Sequence, residues 1–251
     1  MLEQYPLGNT GMSVAKLSLG TVKLGRATGV KYPTPVKIPS DQEALTLLRS
    51  AKDLGINLID TAPAYGDSEQ RLGKLLKGER QDWLLCTKVG ESYDGETSSY
   101  DFTPEATRTS VRRSLEYLGT DYLDIVLVHS DGSDLEIVQQ YGTFAALHEL
   151  KAEGLIRAVG ISHKSAAGAG AALAAGVDVL MATLNPEYQD EAAIISEAGS
   201  LDVGVLVKKA LSSGHGQISD LTWVAEQPGV SSIVIGTTNP EHLRSNAEAV
   251  S

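Results

Sequence analysis

The chain has 251 residues, of which 42% are hydrophobic and 21% charged, and its formal net charge is −11. This composition is typical of a globular protein with a full hydrophobic core and excludes a disordered chain. Because no run of Lys or Arg offsets the acidic charge, we expect neither nucleic acid nor an anionic membrane as a partner. Cys86 is the only cysteine, which excludes an intramolecular disulfide and a cysteine-rich zinc site.

The N-terminal residues and the lengths of the apolar runs indicate where in the cell the protein is expected. The first residues lack a basic segment followed by an apolar one, and no run reaches the roughly 18 apolar residues of a membrane span. A single cysteine agrees with a reducing compartment. We therefore expect a cytoplasmic protein without a membrane segment.

Eight short runs rich in Val, Ile and Leu are predicted as strands. In chain order they are Lys16–Gly20, Ile56–Asp60, Trp83–Thr87, Tyr122–Val128, Ile156–Ile161, Val177–Thr183, Val203–Val207 and Ser232–Ile235. Between them the apolar residues recur in steps of three and four, as at Ala44, Leu47 and Leu48. This spacing predicts amphipathic helices that cover a sheet.

The predicted helices also carry boundary signals. Ser40 with Glu43 predicts a capping box, and Thr103 and Asn239 each precede a proline and a glutamate, as N-cap residues do. Gly119 stands where a left-handed residue would end a helix. Strand followed by helix, repeated eight times, predicts an α/β protein with a parallel sheet.

Two arrangements of such a sheet compete, a closed barrel and an open doubly wound sheet. An open sheet usually carries a Gly-x-Gly-x-x-Gly turn after its first strand, and Gly20–Gly25 lacks the second glycine. We therefore predict a single (β/α)₈ TIM barrel over residues 1–251. Gly29–Pro39 and Gly90–Tyr100 are predicted as extended loops on the rim where the strands end, which is the functional face of a barrel.

Four reactive side chains stand at or just after predicted strand ends: Asp60, Tyr65, Lys88 and His129. Each alone fits a structural role, such as a loop-fixing Asp or a core His, but strand ends of a barrel share one face. A buried Lys88 needs a carboxylate partner, and Asp60 can supply it. A lysine so held would lower the pKa of Tyr65 from about 10 and make the phenol a better proton donor.

The segment Gly55–Glu69 resembles the signature of the aldo-keto reductase family. The resemblance extends to Leu85–Lys88, Tyr122–His129, Arg157–Ser162 and Ile235–Leu243, in the family's order and spacing. It implies that Tyr65 protonates the substrate oxygen while hydride arrives from a nicotinamide cofactor. Asp60 and Lys88 would tune Tyr65, and His129 would orient the carbonyl group.

The resemblance also implies a cofactor site. Its members are Gly20, Thr21, Asp60, Ser162, Asn185, Lys208, Gly236, Thr237, Thr238, His242 and Asn246. In the family, Ser162 and Asn185 would hold the nicotinamide carboxamide, and Asn246 would contact adenine. The loop 236–239 leads into a helix whose first amides can bind an anion, although a plain capped helix is the alternative.

Three departures from the family pattern affect the ligands. Many relatives have basic residues that hold the 2′-phosphate of NADP at the positions of Gly236 and His242, so NADP(H) is implied by the family and NAD(H) stays open. Many relatives have an aromatic residue near the position of Lys208. In this chain the lysine could reach a phosphate, or it could only face water. The connection between the last two strands is short and no long C-terminal lid follows, which predicts an open substrate site.

These features lead to one main hypothesis and two alternatives. The main hypothesis is a monomeric NAD(P)H-dependent reductase of small-molecule aldehydes and ketones, or the reverse alcohol oxidation. The second is a regulatory or redox-sensing barrel that binds cofactor with little turnover, and the third is an aldolase that uses Lys88 as a Schiff-base amine. No metal is expected, because His163 and His215 lack partners at metal-ligand spacing.

Overall fold

A computed structural model describes residues 1–30 and 32–251, and it contains a closed barrel of eight parallel strands. The barrel strands are β3 (Leu17–Gly20), β4 (Leu58–Asp60), β5 (Leu84–Val89), β8 (Leu123–His129), β9 (Ile156–Ser162), β10 (Val179–Thr183), β11 (Gly204–Lys208) and β12 (Ser232–Ile235). Each strand pairs with the next in this order, and β12 pairs with β3 to close the barrel. All eight predicted strands are confirmed, and the open sheet is excluded.

Two antiparallel hairpins lie outside the barrel. The first pairs β1 (Gln4–Pro6) with β2 (Ser13–Ala15), and the second pairs β6 (Glu91–Tyr93) with β7 (Ser98–Tyr100). The prediction of an extended loop over Gly90–Tyr100 was therefore wrong. The Asp94 carboxylate accepts backbone N–H bonds of 2.8 Å from two residues of the turn, and Gly95 adopts a φ of +107°. This Asp-Gly pair is a known hairpin signal.

Ten α-helices in the described residues surround the barrel or cover its rim. They are α1 (Val22–Gly25), α2 (Asp41–Asp53), α3 (Ser68–Leu75), α4 (Pro104–Leu118), α5 (Asp134–Gln139), α6 (Thr143–Ala152), α7 (Ala166–Ala174), α8 (Ala192–Ser200), α9 (Ile218–Ala225) and α10 (Pro240–Ala249). The predicted boundaries are confirmed. Ser40 and Glu43 form the capping box of α2, while Thr103 and Asn239 accept N-cap bonds. Gly119 is left-handed, with φ +63°.

Apolar side chains form two cores, one inside the barrel and one between the strands and the helices. The inner core contains Leu7, Met12, Val14, Leu58, Cys86, Ile125, Leu127, Ala158, Val179, Met181 and Leu206. The first three come from the first hairpin and its turn, so this hairpin closes one end of the barrel. Burial of one such Leu or Ile contributes about 1.5–3 kcal/mol. Cys86 is fully buried.

The rim segment predicted as a loop over Gly29–Pro39 is described except for residue 31, which lies outside the described residues. The rest of the range contains no helix or strand, as expected. Among the described residues, none of the helices combines the length and the apolar composition that crossing a membrane requires.

Candidate active site

The ends of β4 and β5 bring together a buried ion pair at the mouth of the barrel. Lys88 Nζ lies 2.6 Å from Asp60 Oδ1 and donates a second bond of 2.9 Å to the carbonyl oxygen of Thr61. Parallel pairing of β4 with β5 sets these positions, because Asp60 lies opposite Cys86, two residues before Lys88. The expected partner of Lys88 is therefore present.

Tyr65 lies beside this pair, on the loop that follows β4. The centroid of its ring is 4.8 Å from Lys88 Nζ. The ring of Tyr65 packs edge-on against the ring of His129, with the two centroids 6.2 Å apart and the two planes at 86°. Burial raises the pKa of Tyr65 above its usual value, and the charge of Lys88 offsets only part of that rise. The predicted lowering of this pKa was wrong, because removal from water outweighs the nearby ammonium. The phenol is consequently protonated at neutral pH, as a proton donor must be.

Lys88 keeps its positive charge despite its burial. Burial acts to lower its pKa, but the neighbouring Asp60 carboxylate reverses the effect and raises the pKa above its usual value. A Schiff base forms only from a neutral amine. This ion pair therefore argues against the aldolase alternative.

The second hairpin supplies a carboxylate to His129 at the end of β8. Glu91 Oε2 lies 2.7 Å from His129 Nδ1, at ion-pair distance, although the N–H direction departs from hydrogen-bond alignment. Ser98 donates a bond of 2.6 Å to Glu91 Oε1, and Arg26 Nη1 lies 3.7 Å from the same oxygen. Glu91 was not predicted as a site residue because its segment was interpreted as a loop. The Asp-Gly turn signal beside it could have revealed it.

These contacts set the charges of the Glu91 and His129 pair. Burial acts to raise the pKa of Glu91, but the contact with His129 and the bond from Ser98 lower it to about 2. Burial lowers the pKa of His129, and its contact with Glu91 counters part of that shift. At neutral pH the pair is a carboxylate beside an imidazole whose Nδ1 faces the negative charge.

Close backbone packing holds the loop of Tyr65 in place. A Cβ atom on Gly25, at the end of α1, would stand 2.1 Å from the Tyr65 carbonyl oxygen. Gly66 has a φ of +63°, and a Cβ there would stand 2.1 Å from the carbonyl oxygen of Gly25. Only glycine permits both the left-handed backbone and this approach. The position of Tyr65 therefore depends on α1.

A cavity of about 650 Å³ opens at the barrel mouth beside the reactive side chains. Nine of the predicted site residues line it: Gly20, Thr21, Asp60, Tyr65, His129, Ser162, Asn185, Lys208 and Gly236. Lys88 lies behind Asp60 and Tyr65 rather than in the lining. The cavity is large enough for a small-molecule ligand and brings together residues from seven barrel strands and the loops that follow them.

Ser162, Asn185 and Lys208 meet at one wall of this cavity. Lys208 Nζ donates to Ser162 Oγ at 2.9 Å and to the His163 carbonyl oxygen at 2.7 Å. Asn185 Oδ1 accepts two backbone N–H bonds from its own loop, and Nδ2 donates a 3.1 Å bond to the Lys209 carbonyl oxygen. The Ser162 hydroxyl, which accepts from Lys208, is left able to donate.

The remaining predicted cofactor residues lie on the other side of the β12 exit. Thr238 borders a second cavity of about 390 Å³, which Lys37 and Glu43 also line. Thr237 is buried, and its Oγ1 accepts a 3.1 Å bond from the backbone N–H of Asn239. His242 is exposed and Asn246 buried, and neither lines one of these two cavities. The predicted cofactor set is thus divided between two cavities and the flanking helix.

Residues 16–217, which contain the reactive side chains and the wall around Lys208, match the aldo/keto reductase family. The chain belongs to this family. A Pseudomonas aeruginosa protein of solved structure, described as an aldo-keto reductase, is 48% identical and superposes with a TM-score of 0.91. The match covers 98% of this chain and 93% of that chain.

Curated aldo-keto reductase relatives match over a shorter range. L-galactose dehydrogenase of Arabidopsis thaliana is 39% identical over 168 residues, which cover 64% of this chain and 48% of that protein. NADH-specific methylglyoxal reductase of Escherichia coli is 33% identical over 178 residues, which cover 66% and 53%. The chain therefore spans about half the length of these curated relatives.

Lys208 stands where many relatives were said to have an aromatic residue. An unusual turn follows it. Three residues without the freedom of glycine adopt left-handed backbone here: Lys209 (φ +59°), Ser212 (φ +46°) and Ser213 (φ +61°). Each such residue costs on the order of 1 kcal/mol or more, and such strain clusters at functional sites. Lys209 and Ser212 also line the main cavity.

His163 was predicted to lack partners, and the structure places a carboxylate beside it. It is fully buried, lines the main cavity, and its Nδ1 lies 3.4 Å from Glu191 Oε2. Neither ring nitrogen makes a hydrogen bond in the described structure. Glu191 accepts a 2.9 Å bond from the Thr183 backbone N–H, which places its carboxylate at the wall. The carboxylate partner was missed because it lies 28 positions away in sequence, on another strand exit.

Burial determines the charge of His163. It lowers the pKa of His163 to about 4, so the ring is neutral at neutral pH. Among the described residues, no group of three or more His, Cys, Asp and Glu is arranged to hold a metal ion.

Proposed function

We propose that this aldo-keto reductase is a nicotinamide-dependent oxidoreductase that reduces small aldehydes and ketones, and oxidises the corresponding alcohols in the reverse direction. The observation that carries the proposal is the position of the Tyr65 phenol, between a charged Lys88 and the ring of His129, at the lining of a 650 Å³ cavity. A partly buried acid beside a buried cation and an orienting imidazole is the arrangement that carbonyl reduction requires.

The roles follow from the contacts. Tyr65 donates its proton to the carbonyl oxygen, and the Lys88 ammonium stabilises the phenolate that remains. Asp60 keeps Lys88 charged and fixed at 2.6 Å. His129 orients the carbonyl oxygen toward Tyr65, and Glu91 fixes the ring of His129. In the reverse direction the Tyr65 phenolate accepts the proton of the alcohol.

The cavity wall fits a nicotinamide. Ser162 has a hydroxyl hydrogen to donate, Asn185 keeps one amide hydrogen, and neither nitrogen of the buried His163 ring makes a hydrogen bond. When bound, the nicotinamide supplies the hydride that adds to the carbonyl carbon.

We infer further that NADP(H) is the preferred cofactor, with Lys37 in place of the basic residues that Gly236 and His242 do not provide. Lys37 lines the second cavity beside Thr238 and the N-terminus of α10, and its ammonium could pair with a 2′-phosphate. The nearby Glu43 carboxylate is already held by Ser40 in the capping box. NAD(H) is the alternative, because one exposed lysine is a weak anion site.

Calorimetric titration with NADPH and NADH tests this preference. We expect NADPH to bind up to about fivefold more tightly, since an exposed ion pair contributes up to about 1 kcal/mol, and Lys37→Gln to remove the difference. Lys77→Gln, at an exposed lysine outside both cavities, is the matched control. Equal binding of the two cofactors to the wild type would contradict the inference.

Small polar carbonyl compounds are the proposed substrates. The cavity lining includes Thr183 and Tyr188 beside the reactive groups, so hydroxyl or second carbonyl groups would find partners. The names of the relatives agree with this class, since one is a dehydrogenase of a sugar and another a reductase of methylglyoxal. We propose a monomer, because the helices outside the barrel cover its strands within the chain itself. The buried free thiol of Cys86 agrees with a reducing cytoplasm.

Turnover with a panel of carbonyl compounds tests the proposed activity. NADPH and NADH absorbance is followed with methylglyoxal, DL-glyceraldehyde and 4-nitrobenzaldehyde. We expect turnover that Tyr65→Phe lowers by about 10²- to 10⁴-fold, the contribution of a general acid. Tyr117→Phe, on the outer helix α4, should leave the rate unchanged. Tight cofactor binding without turnover of any carbonyl compound would instead support the regulatory barrel.

A further inference from the structure

Lys208, the last residue of β11, holds an ammonium at the wall of the main cavity without an ion pair. Its two acceptors, Ser162 Oγ at 2.9 Å and the His163 carbonyl oxygen at 2.7 Å, are both neutral. Among residues 1–30 and 32–251, no carboxylate oxygen lies within 4.0 Å of its Nζ. Dipoles rather than an opposite charge therefore surround this cation, and such a cation is sensitive to any further positive charge.

The charged and titratable groups that act on Lys208 come from several elements. They are Glu191 before α8, Asp134 in α5, Lys209 next in the chain, Lys88 in β5, His163 after β9 and His129 at the end of β8. Burial lowers the pKa of Lys208 most, the carboxylates of Glu191 and Asp134 counter it, and the two lysines lower it further, to about 7. Lys208 thus changes charge near neutral pH.

The proposed function places a nicotinamide against this wall. A hydride donor must reach the carbonyl carbon held between Tyr65 and His129, and Ser162 is the hydroxyl that would hold the carboxamide. Lys208 is bonded to that same hydroxyl. The oxidised nicotinamide ring carries a positive charge and is repelled by an ammonium, whereas the reduced ring is neutral and is not.

We propose that Lys208 is a specificity-determining residue that makes this site prefer the reduced cofactor over the oxidised one, and that its protonation sets the size of the preference. The inference rests on the proposed function. With a charged ammonium, the oxidised ring is repelled. Binding of the oxidised cofactor then requires Lys208 to release its proton to solvent, whereas binding of the reduced cofactor leaves the proton in place.

Calorimetric titration of the wild-type protein with NADPH and NADP⁺ at pH 6 and pH 8 measures this effect without turnover. NADH and NAD⁺ replace them if that pair binds more tightly. We expect the Kd of the oxidised form to be about tenfold higher at pH 6 than at pH 8, the change for one proton released by a group with a pKa near 7. The Kd of the reduced form should be nearly constant. Titrations in buffers of different ionisation enthalpy should show close to one proton released per oxidised cofactor at pH 6.

Three variants distinguish the effect of the Lys208 charge from the combined effect of the other positive charges around the cavity. Lys208→Gln removes the charge, so the ratio of the two dissociation constants should become equal at the two pH values. Lys208→Arg keeps the charge throughout this range, so the preference for the reduced form should persist at pH 8. Lys164→Gln removes an exposed lysine of the same cavity and should keep the wild-type pH dependence.

A ratio of dissociation constants that is the same at pH 6 and pH 8 in the wild type would overturn the inference. So would a Lys208→Gln variant that keeps the wild-type pH dependence. Either result would leave the proposed function intact, because the loss of turnover in Tyr65→Phe does not depend on Lys208. Failure of both cofactor forms to bind would overturn the proposed function and this inference together.

Discussion

Glu91 Oε2 lies 2.7 Å from Nδ1 of His129, and this contact joins the β6–β7 hairpin to the mouth of the barrel. A carboxylate beside Nδ1 stabilises a proton on that nitrogen, so neutral His129 presents its other nitrogen to the cavity as an acceptor. An acceptor suits the hydroxyl group of an alcohol or of a hydrated or cyclic sugar. A carbonyl oxygen needs a donor instead, and His129 becomes one by taking up a proton, whose charge the Glu91 carboxylate stabilises.

We predict that Glu91→Gln lowers kcat without a comparable change in KM. The neutral amide no longer stabilises a proton on His129 and can shift the ring, and a misplaced catalytic group costs up to about 10²-fold in rate. Steady-state kinetics with the best aldehyde of the panel measures the change. Glu96→Gln, at an exposed position on the same hairpin, is the matched control. Wild-type kcat in Glu91→Gln would show that the hairpin does not position His129.

The same contact predicts a pH-dependent stability. The pKa of Glu91 falls from 4.5 to about 2 on folding, so its contribution to the free energy of unfolding is present above pH 4.5 and is lost as the pH falls through 2. The shift corresponds to about 3 kcal/mol. Urea unfolding of wild type and Glu91→Gln should therefore differ by about this amount at pH 6 and converge toward pH 2. A difference that is constant from pH 6 to pH 3 would contradict the predicted ionisation of Glu91.

Removal of the partner of Lys88 should be costly. Asp60→Asn leaves a buried ammonium without its carboxylate, for which we expect a loss of about 3–5 kcal/mol in the free energy of unfolding. The loss should diminish at alkaline pH, because the unpaired lysine then deprotonates. Denaturant unfolding at pH 7 and pH 10 measures both effects, with Asp53→Asn on the exposed end of α2 as control. Equal stability of Asp60→Asn and wild type would mean that the ion pair contributes nothing.

The packing of α1 on the Tyr65 loop leads to a prediction about Gly25. In Gly25→Ala the new methyl group would meet the Tyr65 carbonyl oxygen at 2.1 Å, so the loop has to move. We expect a loss of roughly 1–3 kcal/mol in stability together with a lower kcat. Gly170→Ala is the control, since a Cβ there meets only Ile194 Cδ1 at 3.9 Å inside α7, and alanine should stabilise that helix by up to about 1 kcal/mol. A wild-type kcat in Gly25→Ala would show that the position of Tyr65 does not depend on its packing against α1.

The barrel and the reactive residues at its mouth could be predicted because both depend on local pattern. Strands with continuous apolar runs alternate with helices whose ends carry Ser40, Thr103 and Asn239, and strand ends of a closed parallel barrel share a face. Asp60 and Lys88 therefore had to meet. A barrel brings such residues together regardless of the length and sequence of the segment that connects them.

Properties that depend on burial could not be predicted in the same way. The pKa of Tyr65 is raised rather than lowered, because the sequence reveals the nearby lysine but not the loss of water around the phenol. His163 is buried against Glu191 for a similar reason, since its neighbours come from distant strand exits. Glu91 was missed because a short hairpin with polar residues on both strands lacks the apolar alternation that identifies a strand.

The most direct test of the account is the single-turnover rate of hydride transfer with NADPH bound before mixing. Stopped-flow absorbance with saturating methylglyoxal compares wild type and Tyr65→Phe, and calorimetry measures NADPH binding to each. We predict a rate lower by about 10²- to 10⁴-fold in Tyr65→Phe with an unchanged Kd for NADPH, because the phenol oxygen acts only on the carbonyl group. Equal single-turnover rates in the two proteins would contradict the role of Tyr65 as the proton donor.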